Sequence, residues 1–395
     1  MVRDPSQPII RSVLDDDLYK FSMSAAAIRL YDDLDFRAVF TNRGKTPFPT
    51  GFGDALREQV RAMAHLSLTA EEEAWLRTSP SLSWLPRSYI DFLRGFRFDP
   101  DEVTIEQTGG DLSVVIEGPW YTAIRWEVPL LATISELYFR MTGQEPDWGI
   151  FNAHLGDKTN KFRAAGCRVT DFGTRRRASY EIQDSVLTSA RLRKWEDVYV
   201  GTSNMHFAHV HGMRPIGTHA HEWFMAHEAM FGPRMANRKA LEAWMQVYRG
   251  RLGTALTDTY TTDVFLRDFD FLMARQFDGV RQDSGDPFLW ALKIIEHYRS
   301  LGIDPKTKTA IFSDSLDADL AVSIQKAFAG QIGVAFGIGT NLTNDCGLKP
   351  LNIVIKADAF KVNGRWIPVV KLSDTPGKHH GSSHDVGLVK GILGI

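Results

Sequence analysis

The chain is predicted to be an α/β protein, an irregular β/α barrel behind an N-terminal region of mixed helix and strand. Three observations carry that prediction. After about residue 165, short β-branched apolar segments recur, and helical patterns separate several of them, as parallel β/α units require. No Gly-x-Gly-x-x-Gly follows any of these segments, which disfavours an open dinucleotide-binding sheet. The first 150 residues, by contrast, mix helix and strand patterns in no regular order.

In the N-terminal region, residues 36–42 alternate as a half-buried strand does, and 112–116 form a second strand candidate. Residues 54–65 read as an amphipathic helix. A further helix, 130–141, follows Pro129, which suits a first helical turn. The barrel strands are expected at 168–172, 198–202, 214–218, 254–257, 279–282, 309–312, 333–338 and 351–355. Helices are expected at 237–248, 287–301 and 317–329. Asp286 is placed to cap the second of these, with Pro287 in its first turn and Gly302 at its stop, and Gly330 ends the third.

A length of 395 residues fits two or three domains, or one large barrel with additions. With 44% hydrophobic and 24% charged residues the composition is globular, so disorder is excluded. The 46 Lys+Arg against 48 Asp+Glu leave a net charge of −2, without the basic excess of a nucleic-acid binder. Cys167 and Cys346 cannot make a disulfide framework, and no Cys-x-x-Cys occurs, so a reducing cytoplasm is expected. No apolar run approaches the roughly 18 residues of a membrane span, and the first residues do not read as a signal peptide. No repeat of 20–50 residues is present.

The strand exits carry the chemistry. DFGTRRR (171–177), GTSN (201–204), GTHAHE (217–222), TDT (257–259), RQDSGD (281–286), SDS (313–315) and GIGT (337–340) follow the apolar runs. In a β/α barrel such loops share one face, where active sites lie. Gly337, Gly339 and Thr340 could offer N–H groups and a hydroxyl to a phosphate, with Arg175 and Arg281 supplying charge; the competing reading is a tight turn. Of Arg175–Arg177, at least one is expected to point away. Asp258, Asp283 and Asp314, one per exit, suit sugar hydroxyls or Mg²⁺, and each is equally a helix-cap candidate. His219-x-His221 is a metal-site pattern, which makes a metal-dependent hydrolase the runner-up. That reading needs further ligands, and no histidine occurs between 228 and 296. His379, His380 and His384 are read as a solvated loop, and the cysteines receive no role. A purely binding or scaffold protein does not account for so dense a polar rim.

With these residues in view, the chain resembles the nicotinate phosphoribosyltransferase family along nearly its whole length. The resemblance rests on DLYK (17–20), WEVPL (126–130), DFGTRRR, GTSN, AHEWF (220–224), DSGDP (283–287), FSDSL (312–316), FGIGT (336–340), KPLNIVIK (349–356) and KLSDTPGK (371–378). It implies transfer of phosphoribosyl from 5-phosphoribosyl 1-diphosphate to nicotinate, giving nicotinate mononucleotide and diphosphate. ATP is implied as co-substrate through a transient phosphohistidine, with Mg²⁺ and no tightly bound organic cofactor. Nicotinamide- and quinolinate-using enzymes are the alternatives within the class.

Residue by residue, the resemblance implies His221 as the phosphohistidine; adjacency alone suggests Glu222 as the holder of its other nitrogen. Phe172 and Tyr19 sandwich the pyridine ring, Tyr19 reaching in from a second subunit. Arg175 and Arg281 meet the carboxylate and phosphates. Ser203, as a hydroxyl donor, favours acid over amide. Asp283 and Asp314 lie near the reacting ribose, and Gly337, Gly339 and Thr340 hold the 5′-phosphate. Arg43 reaches across a dimer, Lys356 and Lys371 are phosphate candidates, and Asp258 is a candidate Mg²⁺ ligand. The expected fold is an N-terminal mixed α/β sandwich over 1–145, completed by 357–395, with an irregular β/α barrel over 146–356. The expected assembly is a homodimer with composite active sites.

Overall fold

The computed structural model describes residues 4–395. Its strands are β1 (Asp35–Asn42), β2 (Val103–Thr108), β3 (Asp111–Pro119), β4 (Val169–Asp171), β5 (Tyr199–Thr202), β6 (Thr254–Leu256), β7 (Gly279–Gln282), β8 (Thr309–Phe312), β9 (Gly333–Ile338), β10 (Ile353–Val362) and β11 (Arg365–Pro368). They form two sheets. One is antiparallel in the order β11-β10-β1-β3-β2, and the other is parallel in the order β5-β4-β9-β8-β7-β6.

The two sheets follow from their strand patterns. The parallel strands are short apolar runs, mostly buried on both faces in β4–β7, whereas β10 alternates along a longer strand: Ile353, Ile355 and Ala357 are buried while Val354 and Lys356 are not fully covered. That alternation explains a correction. The segment 351–355, expected as a barrel strand, starts β10 instead, which runs antiparallel to β1 with a register shift at Arg37/Ala38. The expected strand at 214–218 is reduced to one parallel bridge between Pro215 and Thr202, because a proline has no N–H to give the ladder. The other six barrel segments are strands where expected.

Helix ends follow local chemistry. Thr69 and Glu72 form a reciprocal capping box at the start of helix Ala70–Thr78. Asp286 accepts from the N–H groups of Phe288 and Leu289 at 2.8 and 2.9 Å, capping helix Pro287–Ser300. An additional helix, Ser383–Leu393, lies in the C-terminal stretch. His380 beside it is not simply solvated, since its Nε2 meets the Ala357 carbonyl at 2.8 Å. No described helix is long and apolar enough to cross a membrane.

Buried ion pairs join the N-terminal helix Leu18–Leu30 to the rest. Arg177 makes two 2.8 Å bonds to Asp15, and Arg125 meets Asp16 at 2.7 Å, all four side chains fully enclosed. Removing one partner of such a pair strands a buried charge, at about 3–5 kcal/mol. These pairs hold Asp17, Tyr19 and Lys20 at the mouth of the parallel sheet.

Candidate active site

A cavity of about 570 Å³ lies where the exits of β4, β5, β7, β8 and β9 face β10. Seven basic and five acidic side chains line it, a surplus that suits an anionic occupant. Of the residues selected from sequence, Tyr19, Arg43, Phe172, Arg175, Ser203, His221, Glu222, Arg281, Asp283, Asp314, Gly339, Thr340, Lys356 and Lys371 all line it. Gly337, Asp258 and His219 do not.

At one end Phe172 and Tyr19 border the cavity with Asp17, Glu127 and Arg175. Tyr19 Oη donates to Glu127 at 3.4 Å, and Arg175 Nη1 meets the other Glu127 oxygen at 3.4 Å. Lys20, fully buried, anchors Glu127 at 2.5 Å and Glu222 at 2.9 Å. Burial pushes the Asp17 carboxyl up to about 6, against the pull of Arg175. One expectation changes here. The Ser203 hydroxyl donates to Asp17 Oδ1 at 2.8 Å, so its single proton is already committed and it is no donor to an incoming carboxylate. Gly337 packs against Phe172: a Cβ there would stand 2.3 Å from the ring.

His221 opens the helix His221–Phe231. Its Nδ1 lies 3.0 Å from Thr259 Oγ1, and its Nε2 lies 3.0 Å from Asp283 Oδ2 and 2.7 Å from Lys371 Nζ. Burial and the Lys371 ammonium lower its pKa, favouring the neutral ring. Lys371 can only donate to Nε2 and the Asp283 carboxylate can only accept from it, so the two contacts belong to opposite tautomers; in the one that accepts from Lys371 the ring proton sits on Nδ1, toward Thr259. Burial opposes ionisation of Asp283, but Arg281, His221 and Lys371 outweigh it and hold the carboxyl well below its ordinary range.

Glu222 does not hold the imidazole. Its oxygens accept from Trp120 Nε1 at 2.6 Å and Lys20 at 2.9 Å, because neighbouring residues on a helix point about 100° apart. His219 is no metal partner either. It is fully buried, with both ring nitrogens unbonded, edge-on to Phe224 and Trp244 at centroid distances of 5.1 and 4.8 Å. Among the described residues no cluster of three metal-ligating side chains occurs. Asp258 is likewise enclosed and does not line the cavity: its Oδ2 is bonded to the Ser284 hydroxyl and lies 3.5 Å from Lys371, while its Oδ1 has no hydrogen-bond partner and lies 3.8 Å from His221 Nε2.

The opposite end is basic. Arg43, Arg176, Lys356 and Lys378 gather near Asp314, which meets Lys378 at 3.2 Å. Burial, with Arg43, Lys371 and Lys378 alongside, pushes the Lys356 ammonium down to about 7. Burial and the neighbouring guanidiniums of Arg175 and Arg43 push Arg176 down to about 10. Such mutual repulsion marks a place prepared for negative charge. Gly339 and Thr340 border this cavity too, at the start of the turn Thr340–Thr343. Of the three consecutive arginines, Arg175 and Arg176 face the cavity while Arg177 turns into the core.

Tyr19 and Arg43 line the cavity of their own chain. The pairs Arg177–Asp15 and Arg125–Asp16 hold the segment just before Tyr19 against the rest of the same chain. Sequence reasoning did not single out Asp17, Glu127, Thr259, Arg176 or Lys378. Each lies inside a segment already selected (DLYK, WEVPL, TDT, DFGTRRR, KLSDTPGK), so the missing information was side-chain direction.

Comparison with known proteins identifies the fold and the family. The model of the nicotinate phosphoribosyltransferase (NAPRTase) family matches residues 167–391, and that of the family's N-terminal domain matches 14–135. A nicotinate phosphoribosyltransferase of Chromohalobacter salexigens is 49% identical over 390 residues, covering 98% of this chain and 99% of that protein. The crystal structure of nicotinate phosphoribosyltransferase from Porphyromonas gingivalis superposes with a TM-score of 0.94 at 46% identity, covering 98% of this chain and 100% of that one. The enzyme of that name from Vibrio cholerae gives 0.90 at 35% identity, covering 100% and 96%. An aromatic pair, a histidine between lysine and aspartate, and a basic far wall thus lie on a fold shared end to end with these enzymes, and the chain belongs to the nicotinate phosphoribosyltransferase family.

Proposed function

We propose that the chain transfers the phosphoribosyl group of 5-phosphoribosyl 1-diphosphate to nicotinate, yielding nicotinate mononucleotide and diphosphate. The pyridine nitrogen forms a bond to the anomeric carbon as the bond to diphosphate oxygen breaks, and the electron pair leaves with diphosphate. Positioning and charge stabilisation are the enzyme's main tasks. Phe172 and Tyr19 hold the ring faces. Arg175 meets the carboxylate, and with Ser203 bonded to Asp17 we assign acid-over-amide preference to this guanidinium. Asp283 and Arg281 stand beside the reacting ribose, and Gly339, Thr340, Arg43, Arg176, Lys356 and Lys378 receive phosphates.

ATP hydrolysis is coupled through His221. The Nε2 lone pair takes the γ-phosphoryl group, ADP leaves, and water later releases phosphate. The observation that supports this reading is the Nε2 environment, in which the Lys371 ammonium at 2.7 Å is accepted by the Nε2 lone pair, a lone pair that becomes nucleophilic once that bond is given up to the incoming phosphate. Mg²⁺ fits as a partner of the substrate phosphates, since it takes one or two carboxylates plus phosphate oxygens; Asp283 and Asp314 face the cavity and would hold it, and it would neutralise charge on the leaving diphosphate. No tightly bound organic cofactor enters this scheme. Cys167 and Cys346 are buried free thiols pushed up to about 11 by burial, which accords with cytoplasmic work in NAD salvage. We further propose a two-domain division near 145, with residues after 356 returning to the first domain. Assembly is proposed as a homodimer whose chains each carry a cavity with its own Tyr19 and Arg43.

The test is product formation from nicotinate, phosphoribosyl diphosphate and Mg²⁺, with and without ATP, read by mass spectrometry. Nicotinate mononucleotide boosted by ATP is expected. His221→Ala should remove the boost and leave slow ATP-independent transfer; full ATP-dependent turnover in that variant would refute the role of His221.

A further inference from the structure

Glu228 lies outside the cavity, two turns along the helix that His221 opens. Its carboxylate is nearly enclosed, yet among the described residues it pairs with no cation. A single oxygen, Oε2, accepts from the Tyr260 hydroxyl at 2.8 Å and from the Val370 N–H at 3.0 Å. Tyr260 adjoins Thr259, and Val370 adjoins Lys371. The two segments thus gathered on one oxygen supply the Nδ1 partner of His221, Thr259, and one of its two Nε2 partners, Lys371; the other, Asp283, comes from the exit of β7. They are also joined to each other, Leu372 N–H donating to the Thr259 carbonyl at 2.8 Å. What Glu228 adds is the short bonds from that joined pair to the helix of the histidine, beside the longer contact of the Tyr260 hydroxyl with the Phe224 carbonyl at 3.4 Å.

We infer that Glu228 is a positioning residue that sets the register of His221 against Thr259 and Lys371, and so governs ATP coupling without touching substrate. The inference rests on the proposed role of His221. A carboxylate without a cationic partner in an enclosed place is costly, and burial pushes this one up to about 7. The arrangement asks for an acceptor at that point rather than a charge. An amide carbonyl can accept both bonds equally well.

The experiment compares Glu228→Leu, Glu228→Gln and the unaltered enzyme for ATP-stimulated transfer, ATP-independent transfer and thermal midpoint. Glu228→Leu should lower the stimulation by ATP on the order of ten- to a hundredfold, as misplacement of reacting groups does, while ATP-independent transfer stays within about threefold. Glu228→Gln should restore stimulation to near the wild-type value. Equal loss of both activities in Glu228→Leu would reduce Glu228 to a structural role and overturn the inference, as would full stimulation. If Glu228→Leu does not fold, Tyr260→Phe removes one bond while keeping the ring; a several-fold drop in stimulation supports the inference, and no change overturns it. Absence of ATP stimulation in the unaltered enzyme would overturn the coupled reading itself, and this inference with it.

Discussion

At Gly337 a Cβ would stand 2.3 Å from the Phe172 ring, a separation that side chains do not sustain. Gly337→Ala should therefore displace the ring, raising the KM for nicotinate about tenfold or more with little change for phosphoribosyl diphosphate. Steady-state kinetics in each substrate would show this, and an unaltered nicotinate KM would return Gly337 to the phosphate loop. Lys356 supports a pH prediction. Its folded-state value of about 7 lies below that of an unfolded lysine. The unfolded chain therefore holds the proton across the window above 7 where the folded chain does not, and stability contributed by this group rises with pH through that window. A phosphate bound beside it pulls the value back up. Binding of phosphoribosyl diphosphate above pH 7 should take up about one proton, and below pH 7 almost none from this group. Calorimetry in buffers of different ionisation enthalpy measures the uptake, and Lys356→Met should abolish it. Equal uptake in that variant would assign the proton elsewhere.

At the scale of elements, local chemistry accounts for most of what formed. Asp286 caps helix Pro287–Ser300 through two N–H groups, and this was legible because an N-cap needs only neighbouring residues. The parallel strands were legible as short apolar runs between polar exits. Two segments misled. Residues 214–218 have apolar content but carry Pro215, and one bridge is all the sheet accepts from them. Residues 351–355 look like another barrel strand until their alternation continues through Lys356 and Ala359 into β10, a strand of the antiparallel sheet. That continuation presents Val354 and Lys356 to the cavity. His219 and His221 illustrate the same limit: an extended segment would point both one way, but His221 begins a helix and only it reaches the cavity.

For the whole molecule, the decisive matter is whether the site is complete in one chain. Tyr19, Arg43, Phe172 and His221 border the same cavity of the same chain. Co-expressed Tyr19→Ala and His221→Ala chains should therefore show no recovery of ATP-stimulated activity. A composite site would return about a quarter of it, through mixed dimers with one intact site. Recovery near that level would restore the exchange of Tyr19 between subunits. The sequence by itself determined the fold class, the strand exits that form the rim, and the cast of charged, aromatic and glycine residues, because periodicity, caps and motif spacing are properties of neighbours along the chain. Only the tertiary structure decided which atoms meet: Thr259 rather than Glu222 on His221 Nδ1, Asp17 on the Ser203 hydroxyl, Gly337 against the Phe172 ring. Those pairings join residues tens to hundreds of positions apart, and their directions are set by packing that no local pattern encodes.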